Sequence, residues 1–248
     1  MNTVLVIPAR YASTRLPGKP LRLLAGKPLI QHVHERALAA GFSSVLVATD
    51  DERIQAVCEG FGAQVAMTAT THETGSDRLA EVVQQQGWTD DTVVVNLQGD
   101  EPLTPVANLY QLAANMAQFP QASIATLATP ITEIDELFDP NVVKVVRDER
   151  GMALYFSRAP VPFQRDAGIA VADYALRHIG MYAYRVGFLR VFTRLAMSMP
   201  ERLEKLEQLR ALSNGYCIHV DIAAEIPGLG VDTETDLYKV EAQLLKGN

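Results

Sequence analysis

Residues 3–8, TVLVIP, are a short apolar run that leads directly into the polar loop ARYASTRLPGKP, residues 9–20. A run of this kind is typical of a strand whose two faces are both covered, as in a parallel sheet between layers of helices. The loop combines three cations, Arg10, Arg15 and Lys19, with hydroxyl side chains and a glycine. The stretch therefore predicts a first strand that opens into a loop rich in hydrogen-bond donors.

The sequence that follows continues to alternate strands and helices. A helix is predicted over 29–40, where Pro28 precedes the first turn and Gly41 follows the last. Further strands are predicted at 45–49, 64–68, 92–97 and 123–129, and helices at 51–61, 77–86 and 105–118. This order predicts an α/β fold with a doubly wound, mostly parallel, Rossmann-like sheet. Such sheets bind ligands at the carboxyl ends of their strands, which directs attention to the loops after residues 7, 49 and 97.

The pattern changes after Pro130. Two apolar segments, 142–147 and 152–157, flank the turn DERG and predict a β-hairpin. The remaining predicted elements are a strand at 176–184, helices at 186–195 and 201–213, a strand at 216–223 and a helix from 234. We expect a single domain over 1–248, in which about 131–184 is a smaller inserted β-hairpin lobe that serves substrate binding or dimerisation.

Composition restricts the class of protein. A chain of 248 residues with 48% hydrophobic residues is expected to fold around a sizeable core. The net charge of −7 argues against a protein that coats nucleic acid. The two cysteines, Cys58 and Cys217, lack zinc-site spacing and suggest free thiols in a reducing compartment. The apolar run at 4–7 is too short for a signal or membrane segment, so we expect a soluble, cytoplasmic protein with no nucleic-acid or membrane partner.

Three motifs carry candidate chemistry. The cationic loop at 9–20 suits a polyanion such as a triphosphate, although it has neither a Walker pattern nor a GxGxxG pattern. Asp100, in LQGDEP directly after the predicted strand at 92–97, is a candidate ligand for Mg²⁺. Asp232, in GLGVDTE, is a candidate second carboxylate.

Each motif also has a simpler interpretation. The loop at 9–20 can be a solvated basic loop, and Asp100 can be a turn or cap aspartate. Next to Asp232, Thr233 can cap the last helix, with Asp236 at the third helical position. The residues alone leave these alternatives open.

Taken together, the motifs resemble those of one family, the CMP-Kdo synthetases (3-deoxy-manno-octulosonate cytidylyltransferases; Kdo is 3-deoxy-D-manno-octulosonate). The matching segments run in order from residue 7 to 237 and include IPARYASTRLPGKPL, HETGSDRLAEV, VNLQGDEP, FDPNVVKVV, ALYFSRAPVP, LRHIGMYAYR, LEQLR and GVDTETDL. The resemblance implies a nucleotide-diphospho-sugar transferase-like fold, a homodimer, and a Mg²⁺-dependent reaction. In that reaction CTP and Kdo give CMP-Kdo and pyrophosphate, which activates Kdo for lipopolysaccharide biosynthesis.

The resemblance also implies roles for individual residues. It implies that the CTP-binding residues are Arg10, Ser13, Arg15, Lys19, Ser76, Arg78 and Gln98. It implies that Asp100 and Asp232 bind the metal, and that Lys19, Arg15 and Asp100 are catalytic. The acid-sugar residues that it implies are Gln98, Arg158, Arg165, His178, Tyr182 and Glu207, with Glu204 nearby.

Alternatives remain for several of these residues and for the function. Without the resemblance, His178 and Tyr182 can be packed structural residues, and Glu204 and Glu207 can be a solvated helix face. The first rival function is the same transfer to another acid sugar, 8-amino-Kdo or a sialic acid. The second is a nucleotide-binding regulator that keeps the fold without turnover. Such a regulator would be free to lose Lys19, Asp100 or Asp232.

Overall fold

The computed structural model describes residues 2–12, 15–72, 74–166 and 168–246. Its strands are β1 Thr3–Ala9, β2 Leu23–Leu24, β3 Lys27–Pro28, β4 Val45–Thr49, β5 Gln64–Met67, β6 Val93–Asn96, β7 Ala122–Pro130, β8 Lys144–Arg147, β9 Ala153–Ser157, β10 Leu176–Arg185 and β11 Cys217–Ile222. Its helices are α1 Leu29–Ala39, α2 Glu52–Gly60, α3 Gly75–Gln86, α4 Val106–Gln118, α5 Ile134–Phe138, α6 Val186–Phe192, α7 Met199–Glu204, α8 Gln208–Ser213 and α9 Glu234–Lys246.

The central sheet has the strand order β11-β7-β10-β6-β1-β4-β5. Strand β1 pairs in parallel with β4 and β6, β4 pairs in parallel with β5, and β7 pairs in parallel with β11. Strand β10 alone runs antiparallel within this path, between β6 and β7. The sheet is therefore mostly parallel, as predicted, and the ends of β1, β4 and β6 meet at one edge.

Helices cover both faces of the sheet. Val4 and Val6 of β1 belong to the core on the side of α3 and α6, whereas Leu5 and Ile7 belong to the core on the side of α1 and α4. All four side chains are at most 1% exposed. A strand that is buried on both faces has no polar side chain to alternate with, which explains the continuous apolar run.

The predicted hairpin is present and is joined to the main sheet. Strand β8 pairs with β9 and also with the start of β10, where Leu176 lies opposite Val145. Strand β10, which the prediction counts with the inserted segment, lies in the centre of the sheet. The segment 131–184 thus contributes both a hairpin and a central strand, while its role as a substrate or dimerisation lobe stays a prediction.

One predicted helix is wrong as a single element. The helix expected over 201–213 is two helices, α7 and α8, because Lys205 adopts a left-handed conformation with φ 55° that ends α7. The break has a consequence for the site, since it places Glu204 and Glu207 in different turns with different partners. The short helix α5 was not expected, because five residues give too little periodicity to detect.

Candidate active site

A cleft of about 270 Å³ opens at the sheet edge where β1 and β6 end. We call it the edge cleft. Its lining includes candidate residues from all three sequence motifs and Arg78 of the HETGSDR segment, namely Arg10, Arg15, Lys19, Arg78, Gln98, Asp100 and Asp232. Segments that are distant in sequence therefore meet where the alternating pattern predicts a ligand site.

Two aspartates converge on one lysine in the edge cleft. The ammonium of Lys19 lies 2.6 Å from Asp100 Oδ2 and 3.1 Å from Asp232 Oδ1. The guanidinium of Arg15 lies 3.1 Å from the same Asp232 oxygen. Asp100 and Asp232 keep 34% and 48% of their side chains exposed, so they still face the cleft. The predicted metal and phosphate residues are thus brought into direct contact.

Glycine makes this convergence possible at two points. A Cβ on Gly99 would lie 2.8 Å from the carbonyl oxygen of Pro8, so the loop that carries Asp100 can approach the end of β1 only without a side chain there. Gly18 has φ +66° and directly precedes Lys19, and its amide donates to the carbonyl of Tyr11. The glycines of LPGKP and LQGDEP therefore allow the residues that directly follow them, Lys19 and Asp100, to come into contact.

The second aspartate is fixed by the start of α9. The amide of Val231 donates to the carbonyl of Asp100 at 2.8 Å, which ties the two acidic loops together. Thr233 and Asp236 exchange hydrogen bonds at the helix start, as the capping interpretation predicts. The capping interpretation is confirmed, and the cap leaves Asp232 facing the edge cleft, while its role as a metal ligand stays a prediction.

A third carboxylate, that of Glu101, interacts with the charges of Asp100 and Asp232. Glu101 is largely buried, and burial together with the charges of Asp100 and Asp232 raises its pKa to about 7. Within the described ranges, no group of three or more His, Cys, Asp or Glu side chains is arranged to hold a metal ion. Two exposed carboxylates still fit Mg²⁺, which commonly takes one or two protein carboxylates and completes its shell with phosphate oxygens and water. The donor set therefore fits magnesium better than a metal that needs an all-protein cage.

Arg78 forms part of the wall of the edge cleft and is itself held from behind. Its side chain is only 4% exposed, it forms a 2.8 Å ion pair with Asp50 at the end of β4, and it donates to the hydroxyl of Thr68. A buried guanidinium that is bound on one side keeps a fixed orientation on the other. The predicted CTP contact is thus placed against the cleft, and its binding role stays a prediction.

Several predicted residues lie beside the cleft in a second group. We call the predicted residues Ser76, His178, Tyr182 and Glu207, together with Asn96, which was not predicted, the buried polar cluster. Ser76, at the start of α3, donates to Glu207 Oε2 at 2.7 Å. The rings of His178 and Tyr182 lie 5.5 Å apart on β10, and Tyr182 is opposite Asn96 of β6. The start of α3 and the end of β6 also border the edge cleft, so the two regions adjoin.

Burial sets the protonation state of this cluster. It lowers the pKa of His178 from 6.5 to about 3, and it raises the pKa values of Tyr182 and Glu207. His178 Nε2 lies 2.9 Å from the hydroxyl of Thr126, consistent with donation by a neutral imidazole. Glu207 Oε1 and Asn96 Oδ1 are buried without a hydrogen-bond partner. Unpartnered buried oxygens of this kind are unusual and can accept donors from a bound polyhydroxylated ligand.

The remaining predicted residues are distributed unevenly. Arg158 is anchored near the base of the hairpin by the carbonyl oxygens of Glu204 and Pro140. Arg165 is exposed and makes no hydrogen bond or ion pair with the residues that the structure describes. Ser13 lies outside the described residues. The structure thus places Arg158 firmly and joins Arg165 to neither group.

Comparison with known proteins gives a consistent result. A family model described as cytidylyltransferase matches residues 4–222. The chain is 56% identical over 248 residues to the 3-deoxy-manno-octulosonate cytidylyltransferase of Thioalkalivibrio sulfidiphilus, covering 98% of this chain and 99% of the relative. It is 55% identical over 245 residues to the enzyme of that name from Halorhodospira halophila, covering 96% and 95%. The chain belongs to the 3-deoxy-manno-octulosonate cytidylyltransferase family.

A solved structure agrees with this membership in the 3-deoxy-manno-octulosonate cytidylyltransferase family. It is that of a CMP:2-keto-3-deoxy-manno-octonic acid synthetase complexed with CTP, which matches with a TM-score of 0.93 and 44% identity and covers 100% of both chains. The predicted family and the predicted α/β fold with a mostly parallel sheet are therefore confirmed.

For this cytidylyltransferase family member, sequence reasoning missed some residues of the edge cleft. His72 and Thr74 line it, although only their neighbours Ser76 and Arg78 were singled out. His72 contacts Glu81, whose carboxylate also accepts from the amide of Ala69. The only available signal was their place inside the quoted HETGSDR segment, because a lone histidine before a helix carries no distinctive spacing.

Proposed function

We propose that this chain joins CTP and Kdo to give CMP-Kdo and pyrophosphate, and that the product supplies Kdo for lipopolysaccharide biosynthesis. The observation that carries the proposal is the convergence of Lys19, Asp100 and Asp232 in the edge cleft of a chain of this family. The cations around it suit a triphosphate, and the adjoining buried polar cluster suits a sugar rich in hydroxyls.

The proposed reaction is an in-line displacement at phosphorus. The anomeric hydroxyl oxygen of Kdo forms a bond to the α-phosphorus of CTP while the bond to the bridging oxygen of pyrophosphate breaks, and the hydroxyl proton is released to water. Arg10, Arg15 and Lys19 lie around the cleft, where their charges offset the negative charge that develops on the phosphate oxygens. Ser13, Ser76, Arg78 and Gln98 are proposed as further CTP contacts. No covalent intermediate on the protein is needed, since the residues act by position and charge.

Magnesium is part of the proposal. Asp100 and Asp232 would hold the ion, and Lys19 occupies the space between their carboxylates in the present structure. When bound, Mg²⁺ supplies positive charge that stabilises the phosphate oxygens of the nucleotide. Lys19, which lines the same cleft, would bind a phosphate oxygen of the nucleotide.

The acid sugar is proposed to bind next to the edge cleft. Arg158 is the cation proposed for its carboxylate, with Arg165 as a second candidate. Gln98, His178, Tyr182 and Glu207 are proposed to contact its hydroxyl groups. Support comes from the two unpartnered buried oxygens of the cluster, which need donors that a sugar possesses.

A cytoplasmic homodimer is the proposed form of the enzyme. Both cysteines are free thiols, as suits a reducing compartment. In the described part of the chain, no helix combines the length and the apolarity needed to cross a membrane. Leu154 and Tyr155 of the hairpin and Met199 and Leu203 of α7 are exposed apolar side chains, which supports burial against a second copy. Light scattering coupled to gel filtration measures the mass, and a monomer would contradict the dimer.

The proposed activity is tested by pyrophosphate release with four nucleoside triphosphates and a panel of Kdo, 8-amino-Kdo and sialic acid, with and without Mg²⁺. We expect turnover that requires CTP, Kdo and Mg²⁺. Faster turnover with 8-amino-Kdo or sialic acid would assign the rival substrate. Binding of CTP without turnover of any sugar would favour the regulator, which the retention of Lys19, Asp100 and Asp232 argues against.

A further inference from the structure

One lysine of the hairpin is buried without contacting a carboxylate. Lys144, on β8, is 0% exposed. Its ammonium donates to the carbonyl oxygens of Asp139 at 2.8 Å, Val142 at 2.6 Å and Arg158 at 2.6 Å. An ammonium has three protons, so the three carbonyls satisfy all of its donors. The hydrogen bonds are complete, but the charge is left without an ion-pair partner.

The neighbouring Arg158 is bound in the same way. Its Nε donates to the carbonyl of Glu204 at 2.7 Å, and its Nη1 donates to the carbonyl of Pro140 at 2.8 Å. The carboxylate of Glu204 is engaged elsewhere, with the hydroxyl of Ser157 and the amide of Arg158. Among the described residues, neither Lys144 nor the guanidinium of Arg158 forms an ion pair. The side chains of Lys144 and Arg158 are thus two neighbouring cations whose hydrogen bonds all go to neutral carbonyl groups.

This arrangement lowers the stability of the folded protein as long as no anion binds to it. A buried charge is normally paired, because desolvation of an unpaired charge outweighs what neutral hydrogen bonds return. Burial and the charge of Arg158 lower the pKa of Lys144, and the nearby carboxylates of Asp139 and Glu204 only partly oppose this effect. A neutral side chain would close the base of the hairpin at less cost. The positive charge of the pair is therefore better explained by an anion that binds there.

The three carbonyls also define what Lys144 holds in place. Asp139 and Val142 bracket the loop 139–142, whose Pro140 carbonyl binds the guanidinium of Arg158. The third carbonyl belongs to Arg158 itself. Lys144 therefore fixes Arg158 twice, through its backbone and through the loop that orients its side chain. The guanidinium uses two of its five N–H groups in these contacts and keeps three for a ligand.

We propose that Lys144 is a positioning residue for the carboxylate of the acid sugar: it fixes Arg158 in the orientation that binds that carboxylate. The inference rests on the proposed function, because it takes Arg158 as the residue that meets the sugar. It adds a residue that the sequence motifs did not single out.

The test compares Lys144→Met with Val145→Ala in steady-state kinetics with CTP and Kdo. Val145, the next residue of β8, is 1% exposed and packs in the core, so its truncation weakens the same strand without touching Arg158. We expect Lys144→Met to raise the KM for Kdo by about tenfold or more, with the KM for CTP changed by less than about twofold. Val145→Ala should leave both constants close to the wild type. Equal increases in the KM for Kdo in both variants would reduce Lys144 to a structural role and overturn the inference.

Coupling to Arg158 gives a readout that general destabilisation would not reproduce. In an Arg158→Met background, Lys144→Met should change the KM for Kdo by less than about threefold, because the group it positions is already gone. Full additivity of the two effects would contradict positioning. If Lys144→Met does not fold, Lys144→Gln keeps two donors for the carbonyls and removes the charge, and the same comparison applies to it.

The outcome also separates this inference from the proposed function. Wild-type enzyme that turns over CTP and Kdo, with an unchanged KM for Kdo in Lys144→Met, contradicts the positioning role alone. Wild-type enzyme without that turnover contradicts the proposed function itself.

Discussion

The edge cleft and the buried polar cluster adjoin, yet they handle polar groups in opposite ways. In the edge cleft, the aspartates that contact Lys19 remain 34% and 48% exposed, and charge is balanced by charge. In the buried polar cluster, His178 is held neutral by burial, and two oxygens lack partners. The difference teaches that the first region is built to exchange partners with a charged ligand at low cost, whereas the second is a fixed surface that is packed against the core.

Substitutions in the two regions should therefore differ in what they damage. Changes in the edge cleft should lower activity and leave the free energy of unfolding nearly unchanged. Changes around the buried polar cluster should alter stability and its dependence on pH. The following variants test that division, in order of decreasing expected effect.

The largest effect is expected at the ion pair that supports the cluster. Arg210 of α8 binds both carboxylate oxygens of Glu201 in α7, at 2.9 and 2.6 Å, and the two side chains are 11% and 6% exposed. Arg210→Met leaves a buried carboxylate unpaired and should lower the free energy of unfolding by about 3 to 5 kcal/mol. Urea denaturation measures this decrease in the free energy of unfolding. The double variant Glu201→Leu with Arg210→Met should recover part of the loss, and a single variant as stable as the wild type would refute this reasoning.

Next in size is the effect of the metal ligand on catalysis. Asp100→Asn removes a charge that is proposed to hold Mg²⁺ and should lower kcat by at least about two orders of magnitude. Because Asp100 is partly exposed, the free energy of unfolding should change by less than about 1 kcal/mol. Asp90→Asn, on an exposed carboxylate outside the edge cleft, is the control and should keep normal turnover. Near-normal kcat in Asp100→Asn would remove Asp100 from the proposed role.

A smaller effect is expected from the neutral histidine of the cluster. The pKa of His178 is about 3 in the folded protein and near 6.5 when unfolded, so the unfolded chain binds the extra proton between these values. The stabilisation is complete above pH 6.5 and is lost as the pH falls towards 3. Between pH 7 and pH 5 the wild type should lose about 1 to 2 kcal/mol more than His178→Gln does. Urea titrations at both pH values measure this difference, and identical losses would show that His178 is not held neutral.

The smallest effect is expected at an exposed ion pair near the cationic loop. Arg22 contacts Glu234 at the start of α9, with side chains 38% and 46% exposed. Arg22→Gln should change the free energy of unfolding by less than about 1 kcal/mol, and the change should shrink further at high salt. Lys27→Gln, at the exposed pair with Glu35, should behave alike. If Arg22→Gln lowered the free energy of unfolding by several kcal/mol, this would contradict the expectation that changes near the edge cleft leave stability nearly unchanged.

Sequence patterns predicted the two regions to different degrees for a physical reason. The edge cleft follows directly from strand ends, because a strand that is apolar on both faces predicts where its loop emerges, and Arg10, Lys19 and Asp100 lie in such loops. The buried polar cluster joins α3, β6, β10 and the start of α8 through contacts such as that of Ser76 with Glu207, which are 131 positions apart. Only the family resemblance indicated Ser76, His178, Tyr182 and Glu207, and Asn96 was missed.

The break between α7 and α8 was missed for a related reason. Apolar spacing continues through Leu203, Leu206 and Leu209, so periodicity alone favours one helix, whereas Lys205 adopts a left-handed conformation. That local choice depends on the tertiary contacts of both helices. The role of Lys144 could not be predicted from the sequence either. Its partners are backbone carbonyl groups, which every residue has, so the pattern of side chains does not indicate them.

The proposed separation between CTP binding in the edge cleft and acid-sugar binding beside it, with Arg158 as the carboxylate contact, is tested most directly by two variants. The Michaelis constants of both substrates are measured for Arg10→Met and Arg158→Met in one pyrophosphate-release assay. The account predicts that Arg10→Met raises the KM for CTP with little change for Kdo, and that Arg158→Met raises the KM for Kdo with little change for CTP. The same constant rising in both variants would contradict separate sites for the two substrates.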